Sequence, residues 1–242
     1  MTRIPDLPKP GGSAARAGAG RDGTAGRNGR ERDETGAPPT AAETALRPLI
    51  GVLAVQGDVA EHAAALERAG ARVRWVKRPA DLEGIDGLVL PGGESTTFRT
   101  FLDRERLLDS IRGRYADGMP VFGTCAGAIL LADEVIGAPA PHLSLLPMTV
   151  RRNAYGRQVD SFVTELDVEG LEGGPLKAVF IRAPTIERLG EGMVPLATVD
   201  GEIVLAQGER ALVATFHPEL TADDRLHRWF VAMAATEDAS PA

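Results

Sequence analysis

A single cysteine lies in a short motif whose spacing is typical of a catalytic nucleophile. Cys125 is the only cysteine in 242 residues, and it stands between two glycines in Gly123-Thr-Cys-Ala-Gly127. The G-x-C-x-G spacing matches the strand-to-helix elbow that presents a nucleophile in hydrolases, with cysteine in place of serine. The N-terminus of the following helix stabilises a thiolate, and the Ala126 N–H can bind a developing oxyanion. The motif therefore predicts that Cys125 attacks carbonyl carbons; a buried structural cysteine is the alternative.

The predicted general base is a histidine that follows an apolar strand. His217 comes directly after Leu212-Val-Ala-Thr-Phe216, and Glu219 follows two residues later. Side chains at i and i+2 that leave a strand point to the same side, so Glu219 can orient His217 and stabilise its charged form. The spacing thus predicts a triad of Cys125, His217 and Glu219. A capped turn with surface charges is the alternative for the His-Pro-Glu segment.

The other three histidines have the sequence patterns of ordinary residues. His62 and His227 lie in amphipathic helical segments, where a solvated or core-edge histidine is expected, and His142 lies in a proline-rich loop. We therefore assign none of the three a catalytic role.

A glycine-rich turn follows the third predicted strand, in the segment LPGGEST at residues 90–96. Gly92 and Gly93 leave backbone N–H groups free to face a ligand, and Ser95 or Thr96 can cap the next helix. The segment lacks the Gly-Lys-Ser/Thr ending of a P-loop, so no nucleotide site is assigned to it. A tight loop without a ligand is the alternative.

Strand and helix patterns alternate along the chain from Leu49 onwards. Apolar runs predict strands in LIGVLAVQG, ARVRWV, GLVLPGG and MPVFG. Helical spacing predicts one helix that Asp58 can cap and another within about residues 95–116. This alternation predicts a doubly wound α/β sheet whose ligands lie at the carboxyl ends of the strands. From Met148 to Phe216, shorter strands predict an antiparallel extension, which a helix to about Ala235 follows.

The first 47 residues differ in composition from the rest of the chain. Their only large apolar residues are Met1, Ile4, Leu7 and Leu46. Burial of so few apolar groups does not offset the entropy lost on chain ordering, so residues 1–47 are predicted to be a disordered extension. A basic interaction arm and a wrongly assigned start codon are the alternatives. Residues 48–242 are predicted to form the folded, functional domain.

Composition and charge argue against several classes of protein. One cysteine cannot form an internal disulfide, so a reducing compartment and a cytoplasmic location are expected. No apolar run reaches the roughly 20 residues that span a bilayer, and no signal-peptide pattern is present at the N-terminus. A net charge of −7 without a basic stripe argues against nucleic acid or an anionic membrane as the main partner. We predict no metal site and no cofactor.

Six segments extend this pattern and together resemble a known family. LAVQGDVAEH, LPGGEST, FGTCAG, RRNAYGRQVDSF, VFIRAP and FHPEL follow one another in this order. The elbow and the His-x-Glu pair resemble class I glutamine amidotransferases, which have a flavodoxin-like, mostly parallel sheet. GGEST, RNAYGRQVDSF and FIRAP are similar to segments of the glutaminase subunits of pyridoxal 5′-phosphate synthases. The resemblance covers about residues 49–235.

This resemblance implies an activity, a partner and a set of site residues. Glutamine is hydrolysed to glutamate and ammonia, with Cys125 as nucleophile, His217 as general base and acid, and Glu219 as its orienting carboxylate. The implied glutamine-binding positions are Gly93, Glu94, Ser95, Arg152, Ile181 and Arg182. The N–H groups of Gly93 and Ala126 form the implied oxyanion hole. The implied partner is a (β/α)8-barrel synthase subunit that uses the ammonia to make pyridoxal 5′-phosphate, which is therefore a product and not a cofactor.

Two other functions are open at this point. The same triad serves amidotransferase subunits that supply ammonia to other synthases, such as those of histidine or purine synthesis. A non-catalytic domain that binds glutamine and regulates a partner is the second alternative, and the complete triad argues against it. Ala154 and Tyr155 stand where family members often have Ser and Phe, and Arg152 has the alternative of a surface charge on a strand.

Overall fold

The computed structural model describes residues 47–93, 106–137, 143–152 and 161–236. The strands in these ranges are β1 (Leu49–Leu53), β2 (Arg72–Val76), β3 (Gly87–Leu90), β4 (Val121–Thr124), β5 (Ala132–Ile136), β6 (Leu146–Arg151), β7 (Ser161–Leu166), β8 (Leu176–Ile181), β9 (Thr185–Leu189), β10 (Val194–Val199), β11 (Glu202–Gly208) and β12 (Ala211–Ala214). The helices are α1 (Val59–Arg68), α2 (Leu107–Ala116), α3 (Ala126–Leu131) and α4 (Arg225–Thr236). Two 3₁₀ turns span Pro79–Leu82 and Pro218–Leu220.

Ten of the described strands form one large sheet. Their order is β2-β1-β3-β4-β12-β11-β9-β6-β5, with β10 paired to β11. The five strands β2, β1, β3, β4 and β12 run parallel to one another. β11 is antiparallel to β12, and β9 is antiparallel to both β11 and β6. β7 and β8 form a separate antiparallel pair. The predicted mostly parallel α/β sheet with an antiparallel extension is confirmed.

Helices cover both faces of the parallel part of the sheet. Leu66 of α1 and Phe230 of α4 share one buried cluster with Ile50 of β1. Leu107 of α2 and Leu130 of α3 share the opposite cluster, which also contains Leu49 and Leu53 of β1. A strand with helices on both faces has no solvated side, which explains why β1 is a continuous apolar run.

The pairing of β12 differs from the sequence expectation. This strand lies in the region predicted as an antiparallel extension, yet Ala211–Ala214 pairs in parallel with Val121–Thr124 of β4. All four of its residues are buried, as is usual for a central strand of a parallel sheet. β12 therefore ends beside β4, so His217 and Cys125 follow neighbouring strands.

Parts of two sequence predictions lie outside the described residues. Residues 1–46 of the predicted extension belong to them, and so do residues 95–105 of the predicted second helix, of which α2 is the described part. None of the helices in the described part of the chain has the length and apolarity that a bilayer crossing requires.

Candidate active site

Cys125 occupies a sharp turn between β4 and α3, as the motif predicts. Its backbone has φ 48° and ψ −104°, a conformation that residues with a Cβ rarely adopt. The Cys125 N–H donates to the Ala214 carbonyl at 2.9 Å, which ties the turn to the end of β12. The residue is 7% exposed. Strained backbone of this kind is concentrated at functional sites, where the surrounding structure holds it in place.

Two glycines allow the elbow and its neighbours to approach closely. A Cβ at Gly127 would overlap the carbonyl oxygen of Leu90, the last residue of β3. A Cβ at Gly92 would overlap the imidazole of His217. Any larger residue at either position would push β3 or the imidazole away from the elbow. Gly127 of the GTCAG segment and Gly92 of the PGGE segment are thus required by packing around the thiol.

His217 lies between two carboxylates. Its Nδ1 is 2.7 Å from Glu219 Oε1 and 3.1 Å from Asp58 Oδ2. His217 and Glu219 are buried, with 4% and 5% of their surface exposed, whereas the Asp58 side chain is 34% exposed. Asp58 stands at the N-cap position of α1 but caps no backbone N–H with its side chain, so its predicted capping role is wrong. Its carboxylate faces the imidazole instead.

These contacts make His217 an unusually strong base. Burial alone lowers the pKa of His217, but hydrogen bonds with Asp58, Cys125 and Glu219 outweigh burial and raise that pKa from 6.5 to about 12. The hydrogen bond to His217 lowers the pKa of Asp58. Burial raises the pKa of Glu219, and the contact with His217 opposes that rise. The imidazole is therefore held as an imidazolium beside the thiol.

A cavity of about 340 Å³ opens in front of the thiol. Its lining includes seven predicted site residues: Gly93, Cys125, Ala126, Arg152, Ile181, Arg182 and His217. Glu219 lies behind His217, and the predicted Glu94 and Ser95 lie outside the described residues. The Cys125 thiol lies 3.9 Å from the Ile181 carbonyl oxygen. Predicted positions from five separate segments thus meet at one cavity.

Two arginines give the cavity its positive charge. Arg152 follows β6, and Arg182 follows β8 with a left-handed backbone at φ 44°. A left-handed arginine is uncommon and places Arg182 at the cavity wall next to Ile181. Guanidinium groups bind carboxylates through charge-assisted hydrogen bonds, so the cavity suits a small substrate that carries a carboxylate.

Sequence patterns missed four side chains that support the triad. Asp58 was interpreted as a helix cap, and His62 and His227 as ordinary helix residues. All of them, together with Thr124, contact the triad or one another in the structure. Position beside a motif is the one signal that sequence offered, since Asp58 follows Gly57 in the turn between β1 and α1 and Thr124 precedes the nucleophile.

Asp58, His217 and Glu219 also have the residue types of a metal site. Their ligand atoms all lie within 4.8 Å of one another. Both carboxylates face the imidazolium Nδ1–H, so the imidazolium is the cation that these contacts give them. The expectation of no metal and no cofactor stays a prediction.

A thiol beside an imidazolium reacts with acyl carbons, and a carboxylate-binding cavity suits an acyl donor that carries a carboxylate. On a doubly wound sheet this combination defines a class, the cysteine-dependent glutamine amidotransferases. The model of the SNO glutamine amidotransferase family matches residues 52–236, and the chain belongs to this family.

Relatives of known type agree with this assignment. "Pyridoxal 5'-phosphate synthase subunit PdxT" of Nocardia farcinica is 56% identical over 202 residues, which cover 81% of this chain and 88% of the relative. The protein of the same name from Rhodococcus jostii is 50% identical over 194 residues, covering 76% and 96%. A crystal structure of a glutamine amidotransferase has 48% identity and a TM-score of 0.73, and the match covers 76% of this chain and 98% of that one. The family resemblance seen in the six segments is confirmed.

Proposed function

We propose that this chain is the glutaminase subunit of a pyridoxal 5′-phosphate synthase. It hydrolyses L-glutamine to glutamate and ammonia, and the ammonia passes to a synthase subunit. Membership of the amidotransferase family and relatives that are synthase subunits support this function. The observation that carries it is the Cys125 thiol in its strained turn, with His217 beside it and two arginines in the same cavity.

The proposed reaction is an acyl transfer in two stages. The Cys125 thiolate attacks the side-chain amide carbon of glutamine, and a carbon–sulfur bond forms. His217 donates its proton to the departing nitrogen, so ammonia leaves and a γ-glutamyl thioester remains. His217 then takes a proton from water, which attacks the thioester and releases glutamate and the thiolate. Glu219 holds His217 in the orientation and charge that both stages need.

The negative charge on the amide oxygen requires donors close to the thiol. The N–H of Ala126, the first residue of α3, and the N–H of Gly93 are the proposed oxyanion hole, and both residues line the cavity. The Gly92 carbonyl oxygen packs against Gly57. This oxygen belongs to the same peptide unit as the Gly93 N–H, so the orientation of one unit determines whether that donor faces the substrate.

The remaining predicted residues are assigned to glutamine recognition. Arg152 and Arg182 carry charges that complement the substrate α-carboxylate, and Ile181 offers a backbone carbonyl beside the thiol. Gly93, Glu94 and Ser95 are assigned to the proposed glutamine-binding loop. Their role rests on the family resemblance, since Glu94 and Ser95 lie outside the described residues.

The proposed partner is a (β/α)8-barrel synthase subunit, and the proposed location is the cytoplasm. Released ammonia is lost by diffusion and protonation, so a glutaminase of this type is useful only when docked to the enzyme that consumes its product. Residues 48–242 are proposed as the glutaminase domain and residues 1–47 as a disordered extension. No cofactor takes part in the proposed hydrolysis.

The test uses this chain together with the synthase subunit. Wild-type chain should hydrolyse glutamine faster with the subunit than without it. Cys125→Ala should abolish pyridoxal 5′-phosphate formation from glutamine but spare formation from ammonium salts, because added ammonia bypasses the thiol. A glutamine-analogue electrophile should label Cys125 in the wild-type chain.

Three outcomes contradict all or part of the proposal. Retained glutamine hydrolysis in Cys125→Ala would remove the thiol from the mechanism. Loss of product formation from both nitrogen sources would make Cys125 a residue for assembly. If a different synthase stimulates glutamine hydrolysis, the proposed glutaminase reaction stands, but the proposed partner is wrong.

A further inference from the structure

A buried polar network lies directly behind the catalytic carboxylate. It joins His62 of α1, Thr124 of β4, Glu219 of the 3₁₀ turn and His227 of α4. His62, Thr124 and His227 are 0% exposed, and Glu219 is 5% exposed. Polar groups buried this deeply are costly unless they are paired, so each contact within the network matters to the folded state.

His62 is the centre of this network. Its Nε2 lies 3.0 Å from the Thr124 hydroxyl and 3.2 Å from Glu219 Oε2. Its Nδ1 lies 3.0 Å from His227 Nε2. Thr124 is the residue immediately before the nucleophile, and Glu219 is the residue that holds His217. One imidazole therefore touches both halves of the catalytic machinery.

The contacts determine which nitrogens carry protons. A carboxylate oxygen only accepts, so a lone pair on His62 Nε2 would repel Glu219 Oε2 at this distance; Nε2 must carry the proton. His62 Nδ1 is then an acceptor, and His227 Nε2 must donate to it. His227 Nδ1 is left as an unprotonated nitrogen, and it has no hydrogen-bond partner within the described residues. An unpaired acceptor there is less costly than an unpaired N–H would be.

Both histidines of the pair are neutral in this arrangement. Burial holds the pKa of His62 well below its usual 6.5, and His227 and His217 add to the effect. Burial, followed by the charge of Arg68, lowers the pKa of His227 to about 4. A neutral His62 presents an N–H dipole to Glu219 without competing with His217 as a cation.

We propose that His62, in its Nε2–H tautomer, is a positioning residue for the catalytic carboxylate. Glu219 Oε2 has no aligned hydrogen bond within the described residues, and the His62 N–H is the dipole placed against it. Through Thr124 the same imidazole ties that carboxylate to the elbow. His62 thus sets the distance between His217 and the thiol without touching substrate. This inference rests on the proposed glutaminase reaction.

The main experiment compares two substitutions of His62 in the complex with the synthase subunit. His62→Leu keeps a side chain of similar size but removes the donor and the acceptor. A small misplacement of catalytic groups costs on the order of 100-fold, so we expect kcat for glutamine hydrolysis to fall about 10- to 100-fold with KM changed less than about threefold. His62→Gln places an amide N–H near Nε2 and an amide oxygen near Nδ1, and it should restore kcat to within about threefold of wild type.

A control variant separates positioning from loss of core packing. Phe230→Leu changes a residue of α4 that is also 0% exposed and whose ring packs at a tilt against Phe122. The Phe230 side chain has no polar atom that could donate to Glu219. It should lower the melting temperature and leave kcat per titrated thiol unchanged. Equal kcat values in His62→Leu and wild type, or equal losses in His62→Leu and His62→Gln, would overturn the proposal.

A second measurement does not depend on activity. Histidine ¹⁵N chemical shifts of the full chain should show His62 and His227 as neutral Nε2–H tautomers between about pH 6 and 8. An Nδ1–H tautomer of His62, or its titration in this range, would refute the inference even if every variant is active. If the wild-type complex hydrolyses no glutamine, the proposed function fails, and the ¹⁵N spectrum still decides the tautomer.

Discussion

At the scale of single residues, His217 contacts groups from three different parts of the chain. Glu219 comes from its own turn, Asp58 from the start of α1 and Cys125 from the elbow. The charge of His217 in turn helps to lower the pKa of His62, after burial and His227. On folding, the pKa of His217 rises from 6.5 to about 12. The stability that this rise contributes is complete at a pH below 6.5 and is lost as the pH rises through about 12. The pKa of Asp58 is lowered from 3.8 on folding, so Asp58 contributes stability at a pH above 3.8. This contribution is lost as the pH falls through the lower pKa of the folded state.

Asp58 is expected to tune the proton affinity of His217 during catalysis. Asp58→Asn removes one of the contacts that raise the pKa of His217, so the imidazolium should lose its proton at lower pH. The alkaline limb of the kcat profile should move down by about one pH unit, the lower end of the range for a nearby opposite charge. The measurement is the pH dependence of glutamine hydrolysis, with the His217 ¹⁵N shift as a second readout.

The control for this substitution is Glu61→Gln, which removes one negative charge from an exposed position in the first turn of the same helix. Its pH profile should match that of wild type. Superimposable profiles for Asp58→Asn and wild type would show that the Asp58 contact does not affect the reacting imidazole.

Residue roles were predictable where the partners are close in sequence. His217 and Glu219 are two residues apart at the end of a strand, and that spacing predicted their contact. His62 and His227 are 165 residues apart, and His62 and Thr124 are 62 residues apart. Their patterns as helix residues carry no information about which buried face they share, because only tertiary packing brings α1 and α4 together.

At the scale of elements, the elbow depends on how closely α3 packs against β3. Gly127→Ala places a Cβ against the Leu90 carbonyl, and both partners are backbone, so neither can move as a flexible side chain would. We expect a loss of about 1–3 kcal/mol in the free energy of unfolding, the usual range for overpacking, and a larger relative loss of activity. Thermal or urea unfolding with a parallel glutaminase assay measures both.

Gly113→Ala is the matched substitution for Gly127→Ala. Gly113 lies within α2, and a Cβ there meets no atom within 4 Å. Alanine should stabilise the protein by about 0.4–1 kcal/mol, because it restricts the unfolded chain without disturbing the folded one. Similar losses at the two positions would mean that close packing at the elbow is not what Gly127 provides.

Apolar runs predicted the first four strands, because strands buried on both faces leave a continuous signal. They did not predict the partner of β12. Leu212 and Val213 are apolar in either a parallel or an antiparallel pairing, so the pattern identified a strand without its neighbours. The choice depends on the assembled sheet, in which β12 pairs with β4 in parallel and with β11 in antiparallel orientation.

At the scale of the whole molecule, the first 46 residues are expected to be dispensable. A chain that begins at Arg47 keeps the contacts of Arg72 with the Arg47 and Pro48 carbonyls. It should melt within about 2 °C of the full chain and hydrolyse glutamine at the same rate with the synthase subunit. A chain that begins at Val55 lacks β1, the strand between β2 and β3, and should not fold.

Deletion of the extension could instead lower the melting temperature by many degrees. That result would place part of residues 1–46 against the domain, and the assignment of residues 1–47 as a disordered extension would be wrong. Calorimetry on the two shortened chains and the full chain distinguishes these outcomes.

The central place of β12 in the sheet has a consequence for synthesis on the ribosome. β4 and the elbow are made first, and β3 is already present on one side of β4, but its neighbour on the other side is not available until Ala211–Ala214 have been translated. During that interval the growing chain exposes an unpaired apolar strand edge, which is prone to aggregation and is a natural target for chaperones. The same delay has a benefit: an incomplete chain carries the thiol of Cys125 without the imidazole of His217. Incomplete chains are therefore not expected to hydrolyse glutamine.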